Sequence, residues 1–205
     1  MFIRAGIPAE GRMNMHTLFI LLIAVAMACD IFGIVVQRGA NLVRIDVRTA
    51  LMSLLWAVFE LLAILAGYAA GSWLLGLELT EQRSLFWVHV ISGAILAAIG
   101  IRMFMLAFGK RIILEHRMEK LDFRTDILLA LRLCVHGFLA GIVCGLLCFS
   151  LPQVIAAAFL ISAASAVAGY ISGRAWGVSP SGTAYAIGGG LMCALGLALQ
   201  VLPFG

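Results

Sequence analysis

This chain of 205 residues contains six long apolar stretches, which constrain its fold more than any other feature. They lie at residues 17–36, 49–75, 85–108, 127–150, 153–172 and 183–202. Each holds about the 20 mainly apolar residues that a helix needs to cross a bilayer. The apolar character is continuous along each stretch rather than alternating, which favours helices over the strands of a β-barrel. We therefore predict an all-α integral membrane protein with six transmembrane helices.

The composition points to the same class of protein. Hydrophobic residues make up 63% of the chain and charged residues 12%, against about 45–50% and 25% in soluble domains. So few charges cannot cover the surface of a soluble protein, which excludes a soluble enzyme and a disordered chain. The five cysteines lie inside apolar stretches without CxxC spacing and predict neither a disulfide framework nor a zinc ribbon. No nucleophile–base motif is visible, so we expect no enzymatic activity, and a thiol-dependent membrane enzyme is the least favoured alternative.

The positive charges indicate how the chain is oriented. The net charge of +4 comes from basic residues in short connections, not from a patch that would bind nucleic acid. Nine Lys and Arg residues lie in the first, third and fifth connections, and three lie on the other side. Because cytoplasmic loops carry the excess of basic residues, both termini are expected outside the cytoplasm. We expect a multi-pass protein of the bacterial inner membrane, in contact with lipid, with a homodimer or another membrane protein as open alternatives for a partner.

Short matches indicate that the chain consists of two related halves. The second stretch ends in AGYAAG at 66–71, and the fifth ends in AGYISG at 168–173. The third stretch contains AIGI and the sixth ALGL, while DIF in the first stretch corresponds to HGF in the fourth. The three matches occur in the same order in both halves, which predicts a repeat of three helices.

A unit of three spans crosses the membrane an odd number of times, so its second copy must be inverted relative to the first. Inverted repeats are typical of secondary transporters, whose substrate site lies near the midplane between the halves. The predicted organisation comprises an outward-facing N-terminal segment (1–16), a first repeat (17–108), a cytoplasmic amphipathic loop (109–126) and a second repeat (127–205).

Ionisable side chains inside the apolar stretches are the candidates for function, because each costs about 2.5–3.5 kcal/mol on insertion scales. They are Asp30, Glu60, Arg102, Arg132 and His136. The repeat aligns His136 with Asp30 and aligns Ser162 with Glu60, so a pseudo-two-fold axis would bring these four residues together. Two carboxylates and an imidazole suit a divalent transition metal such as Mn, Fe or Zn. They also suit proton exchange, since metal binding displaces protons from its ligands.

The same residues leave a structural role open. Asp30 and Glu60 could hold helices together, by pairing with Arg102 or Arg132, and His136 could be a hydrogen-bonded packing residue. We expect the long side chain of Arg102 to reach the membrane interface. Arg132 lies one helical turn before His136 and would oppose cation binding there unless a carboxylate pairs with it.

Three glycines lie within about a turn of these polar positions, namely Gly33, Gly137 and Gly141. Glycines at such positions allow close helix approach, or local unwinding that exposes backbone carbonyls to an ion. We predict that they line the cavity or break the helices, while plain helix packing remains an equal alternative.

The segment CDIFGIVVQRGA at 29–40 resembles the first-helix motif of the MntP-type manganese efflux pumps, which reads roughly MDAFAVSIAKGA. Asp30 and Phe32 match the Asp and Phe of that motif, and Glu60 falls where the family has an acidic residue in its second helix. The sequence GIRM at 100–103 is similar to the family's third-helix GGRM. The resemblance spans about residues 16–204 and implies a small secondary exporter of divalent cations, within the wider lysine-exporter-like group.

Two departures from the family pattern bear on the metal. His136 stands where the second-repeat motif has an Asp, and Val35 stands at a Ser position. Replacing a carboxylate by an imidazole shifts a site from hard cations towards Fe, Zn or Co.

We predict an exporter of a manganese-like divalent metal that works by alternating access and exchanges protons, with no cofactor besides its cargo. Asp30, Glu60 and His136 would bind the metal and Ser162 would line the cavity; the alternative is a non-transporting membrane subunit or accessory partner on the same fold.

Overall fold

The computed structural model of the protein describes residues 9–42, 47–76, 82–109 and 123–201. These residues form six α-helices: α1 (Ala9–Ala40), α2 (Val47–Gly76), α3 (Gln82–Phe108), α4 (Phe123–Leu146), α5 (Leu151–Trp176) and α6 (Ser179–Val201). All six are long and apolar enough to cross a membrane. The predicted all-α membrane fold with six spans is therefore confirmed.

Several predicted boundaries differ from the observed helix ends. Helix α1 begins at Ala9, so much of the predicted N-terminal segment 1–16 is helical. Most of the predicted amphipathic loop, 109–126, lies outside the described residues, and α4 begins within it at Phe123. Helix α4 ends at Leu146 instead of residue 150, because Cys148 adopts a left-handed backbone conformation with φ of 51°. The amide of Phe149 then donates a hydrogen bond of 3.1 Å to the carbonyl of Cys144, which closes the helix end.

Helices α2 and α4 pack against each other through their glycines. Gly67 faces the backbone of Phe138, and Gly71 faces the backbone of Ile142 so closely that neither position has space for a Cβ atom. The contacts advance in the same direction along both helices, so α2 and α4 run parallel. This direction is the one expected when consecutive spans alternate across a membrane.

Helices α1 and α5 form a second pair of the same kind. Gly169 lies against Phe32 and Val35, and Gly173 lies against the backbone of Val36. This pair is also parallel, and it uses the glycines of the second AGYxxG segment as α2 uses those of the first.

Helices α3 and α6 form the third pair, and they run antiparallel. A Cβ atom on Gly93 would lie 2.8 Å from the carbonyl oxygen of Gly196, and one on Gly100 would lie 2.7 Å from that of Gly189. The small residues bring the two backbones close along the whole contact, as is common between membrane helices.

The helix bundle is apolar on its outside and holds charged side chains inside. Large apolar side chains of several helices are more than half exposed, among them Leu62, Leu128, Leu160 and Leu197. Because these faces are apolar, they contact lipid in a membrane. Helix α1 is the most enclosed, with 67% of its most apolar window buried against 33–44% in the other five helices. Residues of α1 are therefore the best placed to form a site inside the bundle.

Candidate metal-binding site

The central feature of the interior is a contact between Asp30 of α1 and His136 of α4. Oδ2 of Asp30 and Nδ1 of His136 are 2.5 Å apart, and the two residues are 0% and 3% exposed. They are the two positions that the repeat aligns with each other. The structure thus brings together two of the three predicted metal ligands.

Arg102 of α3 contacts the same histidine. Its Nη1 atom lies against Nε2 of His136 and is 3.5 Å from Nδ1. The expectation that Arg102 reaches the membrane interface is therefore wrong, because its guanidinium turns inward and the residue is half-buried.

These contacts fix the hydrogen-bonding role of each ring nitrogen of His136. A guanidinium can only donate, so Nε2 must accept the hydrogen bond from Arg102. The proton of the neutral imidazole then sits on Nδ1 and is donated to Asp30. Arg102, His136 and Asp30 thus form a hydrogen-bonded chain. Both ring nitrogens of His136 are engaged in it, Nε2 by Arg102 and Nδ1 by Asp30.

Arg132, the other arginine of the predicted site region, is an exposed residue of α4. His136 is buried one turn further along the same helix. The structure therefore assigns the positive charge beside the imidazole to Arg102 rather than to Arg132.

The third predicted ligand, Glu60 of α2, lies beside the next residue of α4. The residue is 1% exposed. A Cβ atom on Gly137 would lie 2.9 Å from Oε1 of Glu60 and 3.1 Å from its Oε2. The missing side chain of Gly137 is therefore what leaves room for the carboxyl group of Glu60.

Three carboxylate oxygens of this region lack a hydrogen-bond partner among the described residues. They are both oxygens of Glu60 and Oδ1 of Asp30. Burying a carboxylate without partners is costly, and buried polar atoms of this kind are normally paired with protein groups, water or an ion. The two residues thus provide acceptor oxygens from two helices for a proton or a cation.

The structure does not gather the predicted ligands into a ready coordination shell. Among the side chains that it describes, no three of the types His, Cys, Asp and Glu are grouped as a metal ion would need them. Ser162 of α5 is buried, and its place in a shared cavity stays a prediction. Metal binding by Asp30, Glu60 and His136 together would need a rearrangement of their side chains.

The glycines near these residues serve close packing. Helices α1 and α4 continue without interruption through Gly33, Gly137 and Gly141. A Cβ atom on Gly33 would lie 2.6 Å from Cζ of Tyr185, and Gly141 lies against the backbone of Ile64. Of the two roles that the sequence left open, the structure shows close approach, and it adds Tyr185 of α6 as a neighbour of the site helix that the sequence did not indicate.

Comparison with known proteins places the chain in a family. The model of the family Mntp, described as "Putative manganese efflux pump", matches residues 43–200. The chain belongs to this family. No curated protein and no solved structure shows significant similarity to it. The matched region of this Mntp member contains Glu60, Arg102 and His136, whereas Asp30 lies before it in α1.

Membership in the Mntp family and the six spans agree on a multi-pass membrane protein of a metal efflux family. The sequence identified Asp30, Glu60 and His136 because charged groups are rare inside membrane spans. The sequence favoured the interface for Arg102 and kept its pairing with Asp30 or Glu60 as an alternative. The structure places Arg102 on His136, which links it to Asp30.

Proposed function

We propose that the protein exports a divalent metal cation across the membrane. One observation carries this proposal, namely the three buried carboxylate oxygens of Asp30 and Glu60 that have no hydrogen-bond partner among the described residues. Uncompensated carboxylates in an apolar interior are unfavourable, and a divalent cation bound between them would remove that cost. The description of the Mntp family supports a metal as the cargo.

The ligands in this proposal are Asp30, Glu60 and His136. Carboxylate oxygens suit manganese, and an imidazole widens the range to Fe, Co and Zn. Manganese is favoured because two of the three ligands are carboxylates and because of the family to which the chain belongs. Ser162 is the buried residue that the repeat aligns with Glu60, and we assign it to the wall of the cavity.

The helix pairing supports transport by alternating access between two inverted repeats. Exchanging α1–α3 with α4–α6 converts the α1–α5 pair into the α4–α2 pair, and it converts the α3–α6 pair into itself. Both parallel pairs are closed by the glycines of an AGYxxG segment. Such a pair of equivalent interfaces could open in turn on the two sides of a membrane. In this proposal the protein lies in the inner membrane with both termini outside the cytoplasm, and protons move against the metal.

The contact between Arg102, His136 and Asp30 favours a second candidate function. It neutralises part of the charge in the interior without any metal. A non-transporting subunit that retains the transporter fold would need only such a static ion pair between its helices. This candidate predicts that no metal ion binds to the polar interior.

Calorimetry on the purified protein in detergent distinguishes the two candidates. Titration with Mn, Fe, Co, Ni and Zn should show saturable binding of at least one of these metals. Asp30→Asn should abolish this binding, because the substitution removes a negative charge with little change in volume. Arg132→Gln serves as the matched control and should bind metal as the unaltered protein does, since Arg132 is an exposed residue. Absence of binding for every metal would contradict the proposed function.

A further inference from the structure

We propose that Arg102 is a tethered cation that occupies the metal position at His136 and must withdraw before the metal can bind. The proposal rests on the proposed function, and it assigns to Arg102 the control of metal affinity at that site. Arg102 acts through His136 and Asp30, so it is a positioning residue and not itself a ligand.

The geometry leaves no nitrogen of His136 for a metal. Nε2 faces the guanidinium of Arg102, and Nδ1 is 2.5 Å from Oδ2 of Asp30. A metal ion needs a free lone pair on the imidazole, and in this arrangement only Nε2 carries one. Arg102 therefore has to leave Nε2 before His136 can become a ligand.

The charges in the interior do not allow the metal ion and the guanidinium of Arg102 to occupy the site at the same time. With both carboxyl groups ionised, Asp30 and Glu60 contribute two negative charges, and Arg102 contributes one positive charge. A divalent metal alone would balance the two carboxylates, whereas the metal together with the guanidinium would leave an excess positive charge in an apolar interior. Such an excess is strongly unfavourable at short range, so binding of the metal favours withdrawal of the arginine.

The position of Arg102 on α3 provides a place for the displaced side chain. The residue lies six positions before the end of the helix at Phe108 and is only half-buried. A long arginine side chain near a helix end can extend its charged group to the membrane interface while its apolar stem stays in the membrane. In this proposal the guanidinium would leave its inward position on His136 and move to the interface when the metal binds.

Removal of the positive charge at residue 102 should raise the affinity for metal. We expect Arg102→Gln and Arg102→Met to bind Mn²⁺ about tenfold or more tightly than the unaltered protein, because a nearby competing charge is lost. Arg102→Lys keeps the charge and should stay close to the unaltered protein. Arg132→Gln is the matched control for a general loss of one positive charge and should leave the affinity unchanged. Calorimetry with Mn²⁺ on each variant that elutes as a single folded species in detergent measures these affinities.

The possible results separate this inference from the proposed function. Equal or weaker binding by both uncharged variants, with binding by the unaltered protein, would overturn the role of Arg102 and leave the exporter proposal standing. Binding that appears only in the uncharged variants, and is lost when Asp30→Asn is added, would support the tethered cation and contradict metal transport by the unaltered protein. Absence of binding in all variants would overturn both proposals.

Discussion

The chemistry of the interior depends on a few individual side chains whose charges do not balance locally. Asp30 is linked through His136 to Arg102, whereas Glu60 has no hydrogen-bond partner among the described residues for either oxygen. Gly137 provides the space for the carboxyl group of Glu60. Substitutions of Gly137 therefore probe the position of Glu60 without changing any charge.

Gly137→Ala should weaken metal binding by about tenfold while the protein stays folded. The added methyl group would lie 2.9 Å from Oε1 of Glu60, and the end of a flexible side chain can move away from it. The methyl group would occupy the space in which the carboxyl group of Glu60 now lies, so Glu60 could no longer approach a metal from this position and would contribute less to its binding. Gly190→Ala is the control, because its Cβ atom would have no neighbour closer than 3.7 Å. Calorimetry that finds equal Mn²⁺ affinity for the Gly137 variant and the control would contradict a role for Glu60 as a ligand.

The identities of the charged residues in the site could be predicted from the sequence, but their partners could not. Asp30, Glu60 and His136 are conspicuous because charged groups seldom occur in apolar spans. Arg102 has the same property, yet its orientation depends on how α3 packs against α4 and α6. Where a long side chain can reach either the membrane interface or the interior, tertiary packing determines its orientation. The sequence alone does not reveal that packing.

At the scale of helices, the glycines of the AGYxxG segments determine how closely the parallel pairs approach. The equivalent contacts differ in tightness. A Cβ atom on Gly67 would overlap the backbone carbonyl of Phe138, which cannot rotate away, whereas one on Gly169 would lie 3.0 Å from the side chain of Val35 and 3.4 Å from the Phe32 carbonyl. Gly67 should therefore be more sensitive than Gly169 to an added methyl group.

We expect Gly67→Ala to lower the thermal stability of the protein in detergent more than Gly169→Ala does. Overpacking of a tight contact costs typically about 1–3 kcal/mol, and less where neighbouring atoms can shift. Gly76→Ala serves as the control, because a Cβ atom at that position would meet no atom within 4 Å. The midpoint of heat-induced loss of the monodisperse peak in size-exclusion chromatography measures the effect. Equal midpoints for Gly67→Ala and Gly169→Ala would contradict the difference in packing between these two positions.

Hydropathy predicts the number and type of the helices but not their neighbours. The six spans follow from the length of the apolar stretches, and the observed ends differ by a few residues where a local turn intervenes, as at Cys148. Membrane helices are apolar on nearly every side, so their hydrophobic pattern does not indicate which faces meet. The spacing of the glycines marks the faces that pack closely, but it does not indicate which helix packs against each face.

For the whole molecule, the main feature is the distribution of charge between the outside and the interior of the helix bundle. Apolar side chains face outward along the helices, while Asp30, Glu60 and His136 are enclosed by the bundle. In the proposed transport by alternating access, the α1–α5 and α2–α4 pairs would open in turn and expose this interior to either side of the membrane.

The most direct test of the account is metal transport by the purified protein in liposomes. With Mn²⁺ supplied on one side and a pH-sensitive dye inside the vesicles, the account predicts that Mn²⁺ crosses the bilayer and protons move in the opposite direction. Asp30→Asn should stop both movements, and Arg132→Gln should leave them unchanged. Failure of the folded, unaltered protein to move any of Mn, Fe, Co, Ni or Zn across the membrane would contradict the central claim that it is a divalent metal exporter.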